Sequence, residues 1–223
     1  MRLLICLMLL FSLKAWSSLG PQTPLTLSQL TRWPKGTAVF YLNQKKVYIA
    51  AQLEDIKGNK LIWQWPHNCV RVRRLDPLLP PVKWENCRPW GKDFHTGSAE
   101  VLDYHSPWPL KRGKRWSYKL KVKDEIKSFN VLKSKANKFV LNPPQESRQE
   151  FTVKCQSYGN DKLVNHKEVK WLQRVKCWLG KEDAVTTLFD VAEGHLYYQR
   201  RTHKAQDGSL TTEHLWFYKA KTP

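Results

Sequence analysis

The side chains able to do chemistry are few and scattered. There are seven histidines: His67, His95, His105, His166, His195, His203 and His214. Asp93, Glu100 and Asp103 lie close in sequence to His95 and His105. A carboxylate beside an imidazole is the minimum for general acid–base chemistry, so Asp103 and His105 are the alternative catalytic pair. With them the chain would be a hydrolase of cell-envelope polymers. The same residues are ordinary in a loop, and the leading expectation is no catalytic residue. Stronger signatures are missing: the sequence has no Gly-x-Ser-x-Gly, His-Glu-x-x-His, Walker loop or Gly-x-Gly-x-x-Gly. His166-Lys167-Glu168 has no second histidine at zinc-helix spacing, and no Cys-x-x-Cys occurs. A turn near Asp207 would set His203 opposite Thr211 and His214 opposite Arg200, so these histidines do not face one another. No metal and no cofactor is expected.

The densest chemistry is cationic. Eleven basic residues fall between positions 111 and 138, opposed only by Asp124 and Glu125. On a strand, Lys119, Lys121 and Lys123 project from one face with Arg115, roughly 6.6–7 Å apart. Such a ladder can track a polyanion: a phosphate-bearing glycan, lipopolysaccharide, an anionic lipid surface or, less favoured, nucleic acid. The plainer reading is that outward lysines keep a strand soluble and unpaired. Aromatic residues are 12% of the chain, with 11 tryptophans. Trp90 and Trp108 sit among prolines, where exposure is expected. They are the expected ligand contacts, able to stack on sugars or rest in a headgroup layer. Trp116, Trp171 and Trp216 are expected in the core.

Net charge is +19, from 38 Lys+Arg against 19 Asp+Glu. The longest apolar run, Leu3 to Leu13, is too short for the roughly 18–20 residues of a spanning helix. After Met1-Arg2, and ahead of Ala15-Trp16-Ser17, it reads as a signal peptide over 1–17. The chain is therefore expected to be exported, either periplasmic or secreted. Cleavage leaves Cys69, Cys87, Cys155 and Cys177, an even set in an oxidising compartment. Sequence-local pairing, Cys69–Cys87 and Cys155–Cys177, is expected.

These groups need elements to hold them, and the pattern is of strands. Ala38–Leu42, Val47–Leu53 and Lys60–Trp65 read as a meander with turns at 43–46 and 57–59, and Val70–Arg73 as a fourth strand. Prolines at 77, 80, 81, 89, 107 and 109 make 75–110 a long connection or boundary. Trp116, Tyr118, Leu120 and Val122 alternate with Ser117, Lys119, Lys121 and Lys123, a period of two with one wet face. Phe151, Val153 and Cys155, then Val169, Trp171, Val175 and Cys177, continue it, putting the two cysteines on one apolar face. Val185–Val191 and a hairpin turned at 206–208 complete the set.

The fold expected is all-β, with antiparallel sheets as a sandwich or open barrel of about 9–11 strands and a minor helix near the N-terminus. The expected organisation is a signal peptide at 1–17, an extension at 18–36, a small β meander at 37–92 and a main antiparallel domain at 93–223. The later half opens on Gly113-Lys114-Arg115-Trp116-Ser117-Tyr118 and closes on His214-Leu215-Trp216-Phe217-Tyr218. In this it loosely resembles secreted β-rich bacterial domains, a resemblance that carries no functional residue across. The expected function is non-enzymatic binding of an anionic envelope or extracellular ligand through a basic strand face. A structural or assembly role for exposed strand edges is a further alternative.

Overall fold

The computed structural model describes residues 24–46, 48–87, 94–127, 129–131, 139–141, 144–164, 169–180, 183–204 and 209–223. The expected signal peptide, Trp90 and the turn at 206–208 lie outside the described residues. The meander forms as expected, as β1 (Ala38–Asn43), β2 (Tyr48–Lys57), β3 (Lys60–Trp65) and β4 (Cys69–Arg74). Its turns use the left-handed backbone that tight hairpins need. Gly58 has φ 59° in the two-residue β2–β3 loop, and His67 and Asn68 have φ 63° and 59° between β3 and β4.

Two further strands, β5 (Lys83–Cys87) and β6 (Phe94–Leu102), occupy the stretch expected to be a connection. They pair across residues 92 and 93, the expected boundary, with Lys83 opposite Ser98 and Cys87 opposite His95. β7 (Arg115–Lys127) follows, then β8 (Phe129–Val131) and β9 (Phe139–Leu141), which form a separate two-stranded ribbon. β10 (Gln145–Val164), β11 (Val169–Leu179), β12 (Asp183–Asp190), β13 (Leu196–Lys204) and β14 (Leu210–Lys221) complete the chain.

All but β8 and β9 belong to one closed antiparallel barrel of twelve strands. This corrects the expected sandwich or open barrel of fewer strands. The first and last strands meet, with Val39 opposite Ala220 and Leu42 opposite Trp216, so neither edge is left unpaired. Register shifts at 40/41, 53/55, 84/87, 157/159 and 188/189 supply the local bends that closure requires. The minor helix reduces to a three-residue 3-10 turn, Leu27–Gln29.

Both expected disulfides form, Cys69–Cys87 and Cys155–Cys177. The second joins directly opposed residues of β10 and β11. Along β7, Tyr118 and Leu120 are buried while Arg115, Ser117, Lys119, Lys121 and Lys123 are exposed. Apolar-in and polar-out is the reverse of strands that face lipid. Among the described residues no helix is long and apolar enough to cross a membrane.

Eight strands enclose a space that side chains just fill; twelve enclose more. Three segments help to fill it: an N-terminal strap at 24–37 and the loops at 75–82 and 103–114. Leu25 and Leu110, both 0% exposed, pack with Val175 and Phe189, and Leu110 N–H donates to Leu25 carbonyl at 2.9 Å. Asp76 ties two of the segments together, accepting from Tyr104 Oη at 2.5 Å and Trp108 Nε1 at 3.1 Å.

Candidate functional site

The lysine ladder exists as geometry but not as an uninterrupted field. Lys119, Lys121 and Lys123 do share the outer face of β7. Their neighbours, however, are acidic. Lys119 lies 3.6 Å from Asp103 and Lys123 lies 3.8 Å from Glu146. Lys121 stands directly between Glu100 on β6 and Glu150 on β10. A like-signed run in sequence is thus an alternating patch in three dimensions. These are exposed pairs, worth little in stability, yet they cancel much of the local positive potential.

At its N-terminal end the same strand enters a different environment. Arg115 is opposite Gln156 on β10, Gln156 opposite Lys176 on β11, and Lys176 opposite Thr186 on β12. Thr186 is opposite Arg200 on β13, and Arg200 opposite His214 on β14. One row across six strands therefore reads Arg, Gln, Lys, Thr, Arg, His, with strands about 4.8 Å apart. The adjacent row reads Ser117, Lys154, Trp178, Ala184, Thr202 and Thr212. Neither row contains an acid. Arg115, Lys154, Lys176 and Arg200 make no ion pair among the described residues.

Aromatic faces accompany these cations. Lys176 Nζ lies 5.0 Å from the Trp178 ring centroid. Beside Arg200, His214 stacks on Trp216 at 5.2 Å and 9°, and the Tyr198 hydroxyl meets His214 Nδ1 at 2.8 Å. Trp216, expected in the core, stands 36% exposed on the outer wall. The reason is parity: on β14 it shares its face with His214, while Leu215 and Phe217 face the other way. An open depression lined by Arg115, Lys154, Gln156 and Trp178 lies at one end of this wall, with a volume of about 560 Å³.

Trp108 stands apart from this wall. Its indole N–H is committed to Asp76 and its ring packs edge-on against Phe189 at 6.1 Å. It is part of the filling of the barrel, not an exposed stacking surface. Asp103 and His105 are both exposed with no hydrogen bond between them; Asp103 has φ 56° and faces Lys119 instead. An imidazole–carboxylate pair does form elsewhere. His95 Nδ1 is 2.6 Å from Asp124 Oδ2, and Trp84 Nε1 donates to Asp124 Oδ1 at 3.0 Å. Only the β6–β7 register, which sets Gly97 opposite Asp124, brings this pair together. No nucleophilic serine or cysteine is hydrogen-bonded to it among the described residues.

No protein-family model matches the chain, and no curated protein matches it. A solved structure, that of the hypothetical lipoprotein YmcC from Escherichia coli (K12), is similar over 85% of this chain and 89% of that one. The sequence identity is 16% and the TM-score 0.44.

Proposed function

We propose that this protein is an exported, non-enzymatic β-barrel that binds an anionic glycan of the cell envelope or extracellular space on its outer wall. The single observation that carries the reading is the acid-free pair of rows over β7 and β10–β14. Arg115, Lys154, Lys176 and Arg200 lie there beside Trp178 and the Tyr198–His214–Trp216 group. Cations spaced over about 20 Å suit a polymer with recurring negative charge. Ring faces between them suit sugar rings better than bare phosphate. The two disulfides are consistent with export, because such bonds persist in oxidising compartments.

The test is binding of dextran sulfate, neutral dextran and phosphatidylglycerol vesicles across a salt series. Dextran sulfate is expected to bind, with affinity falling steeply between low and physiological salt as the Debye length contracts to about 8 Å. Neutral dextran is expected to show no comparable affinity, and vesicles to bind more weakly than the sulfated polymer. Salt-independent binding removes the electrostatic mechanism, and preference for vesicles replaces the glycan with a lipid surface.

A further inference from the structure

A second feature lies inside the barrel, away from the outer wall. The inward faces of β1–β4 and β12–β14, with the strap and the 190–195 turn, enclose a cavity of about 130 Å³. That is close to the ~150 Å³ of a cavity that holds one benzene ring. Its walls are largely apolar and aromatic, with Trp33, Trp63, Phe189 and Phe217 prominent, and the exposed Leu75 lies at its rim.

Two polar atoms on residues of this wall lack a hydrogen-bond partner among the described residues. His195 is 6% exposed and lines the cavity, wedged against Phe217 at 4.0 Å, and its Nε2 has no hydrogen-bond partner among the described residues. Trp65 also lines the cavity, and its buried Nε1 has no hydrogen-bond partner among the described residues. Buried polar atoms are almost always satisfied, so two orphans on residues lining one cavity are consistent with a missing occupant. Arg73 is a third lining group. Its Nη2 donates to the carbonyls of Pro77 at 3.3 Å and Leu79 at 3.1 Å, and its Nε and Nη1 make no hydrogen bond among the described residues.

We propose that this cavity binds a small carboxylate with an apolar body about the size of one aromatic ring. Trp65 Nε1–H and Arg73 would receive the carboxylate, and the rings of Trp63 and Phe217 the apolar body. Arg73 and Arg74 line the cavity and, among the described residues, no Asp or Glu does, which favours an anion over a neutral ligand. Arg71 lies over the Trp65 ring at 4.7 Å, beside Arg73 on the same inward face. Burial, with repulsion from Arg73 and Arg201, draws the Arg71 guanidinium down to about 10, against an opposing pull from Glu213. Asp76, whose charge offsets part of that of Arg73, makes its hydrogen bonds with Tyr104, Trp108 and the Leu78 N–H.

The probe is sodium benzoate, titrated against the full chain by tryptophan fluorescence, with benzyl alcohol as the neutral isostere and acetate as charge without a body. Benzoate is expected to bind saturably below about 10 mM, and both comparators at least about tenfold more weakly. Trp65→Phe removes the N–H and keeps a ring, and is expected to weaken benzoate about tenfold. Dextran sulfate binding should be indifferent to benzoate, since the wall and the cavity are separate. Absence of saturable benzoate binding, equal binding of benzyl alcohol, or an unchanged affinity in a folded Trp65→Phe protein overturns the proposal. The comparison of the three probes needs no variant and stands if Trp65→Phe does not fold.

Discussion

Asp190 is 1% exposed and still charged. Burial alone would raise its pKa. Lys170 Nζ at 2.9 Å and the N–H groups of Glu193 and Ala192, each at 3.0 Å, outweigh burial and hold the carboxyl below its ordinary range. The arrangement fixes the 190–195 turn. Gly194, with φ 65°, then passes so close to the strap that an added Cβ would stand 1.9 Å from the Gln29 carbonyl oxygen. Asp190→Asn is expected to cost about 2 kcal/mol at pH 7, measured by urea unfolding. The folded state binds this proton more weakly than the unfolded chain does. The stabilisation is therefore full above a pH of about 4 and drains away below it. The difference between wild type and Asp190→Asn should narrow over that acid range. Gly194→Ala should be destabilising at every pH, because its clash is steric.

At the scale of elements, β7 and its neighbours carry the clearest pattern. The alternation of Trp116, Tyr118, Leu120 and Val122 is legible because each inward residue is large and each outward one polar. The Cys155–Cys177 bridge follows from the same parity on β10 and β11. Replacing both cysteines by serine should lower stability by about 3 kcal/mol in the chain-entropy account of a 22-residue loop, read from the denaturant midpoint. β5 and β6 were not legible, and Gly97 shows why. A Cβ there would sit 2.3 Å from the Lys123 carbonyl oxygen and 2.7 Å from the Trp84 ring. The strand is built of small residues, Gly97-Ser98-Ala99, so that Trp84 can lie over it and reach Asp124. Small residues erase the alternating signal that marks a strand. Gly97→Val should therefore displace Trp84 and destabilise the barrel, an effect visible as a change in near-ultraviolet circular dichroism.

On the scale of the whole molecule, closure decides where charge gathers. The lysines between 111 and 138 are dense in sequence, yet β6 and β10 bring Glu100, Glu146 and Glu150 beside them. Arg115, Lys176 and Arg200 are far apart in sequence and come into one row only through four successive strand registers. Composition made the positive excess legible; where it gathers on the barrel depends on pairings that no local pattern encodes. The two groups offer equal charge for removal, which makes the central claim directly measurable. Dextran sulfate affinity should be compared at low salt for wild type, Arg115→Ala/Lys176→Ala/Arg200→Ala and Lys119→Ala/Lys121→Ala/Lys123→Ala. The account predicts a loss of about tenfold or more in the first variant and about twofold or less in the second. Equal losses, or a larger loss from the lysine ladder, would contradict it.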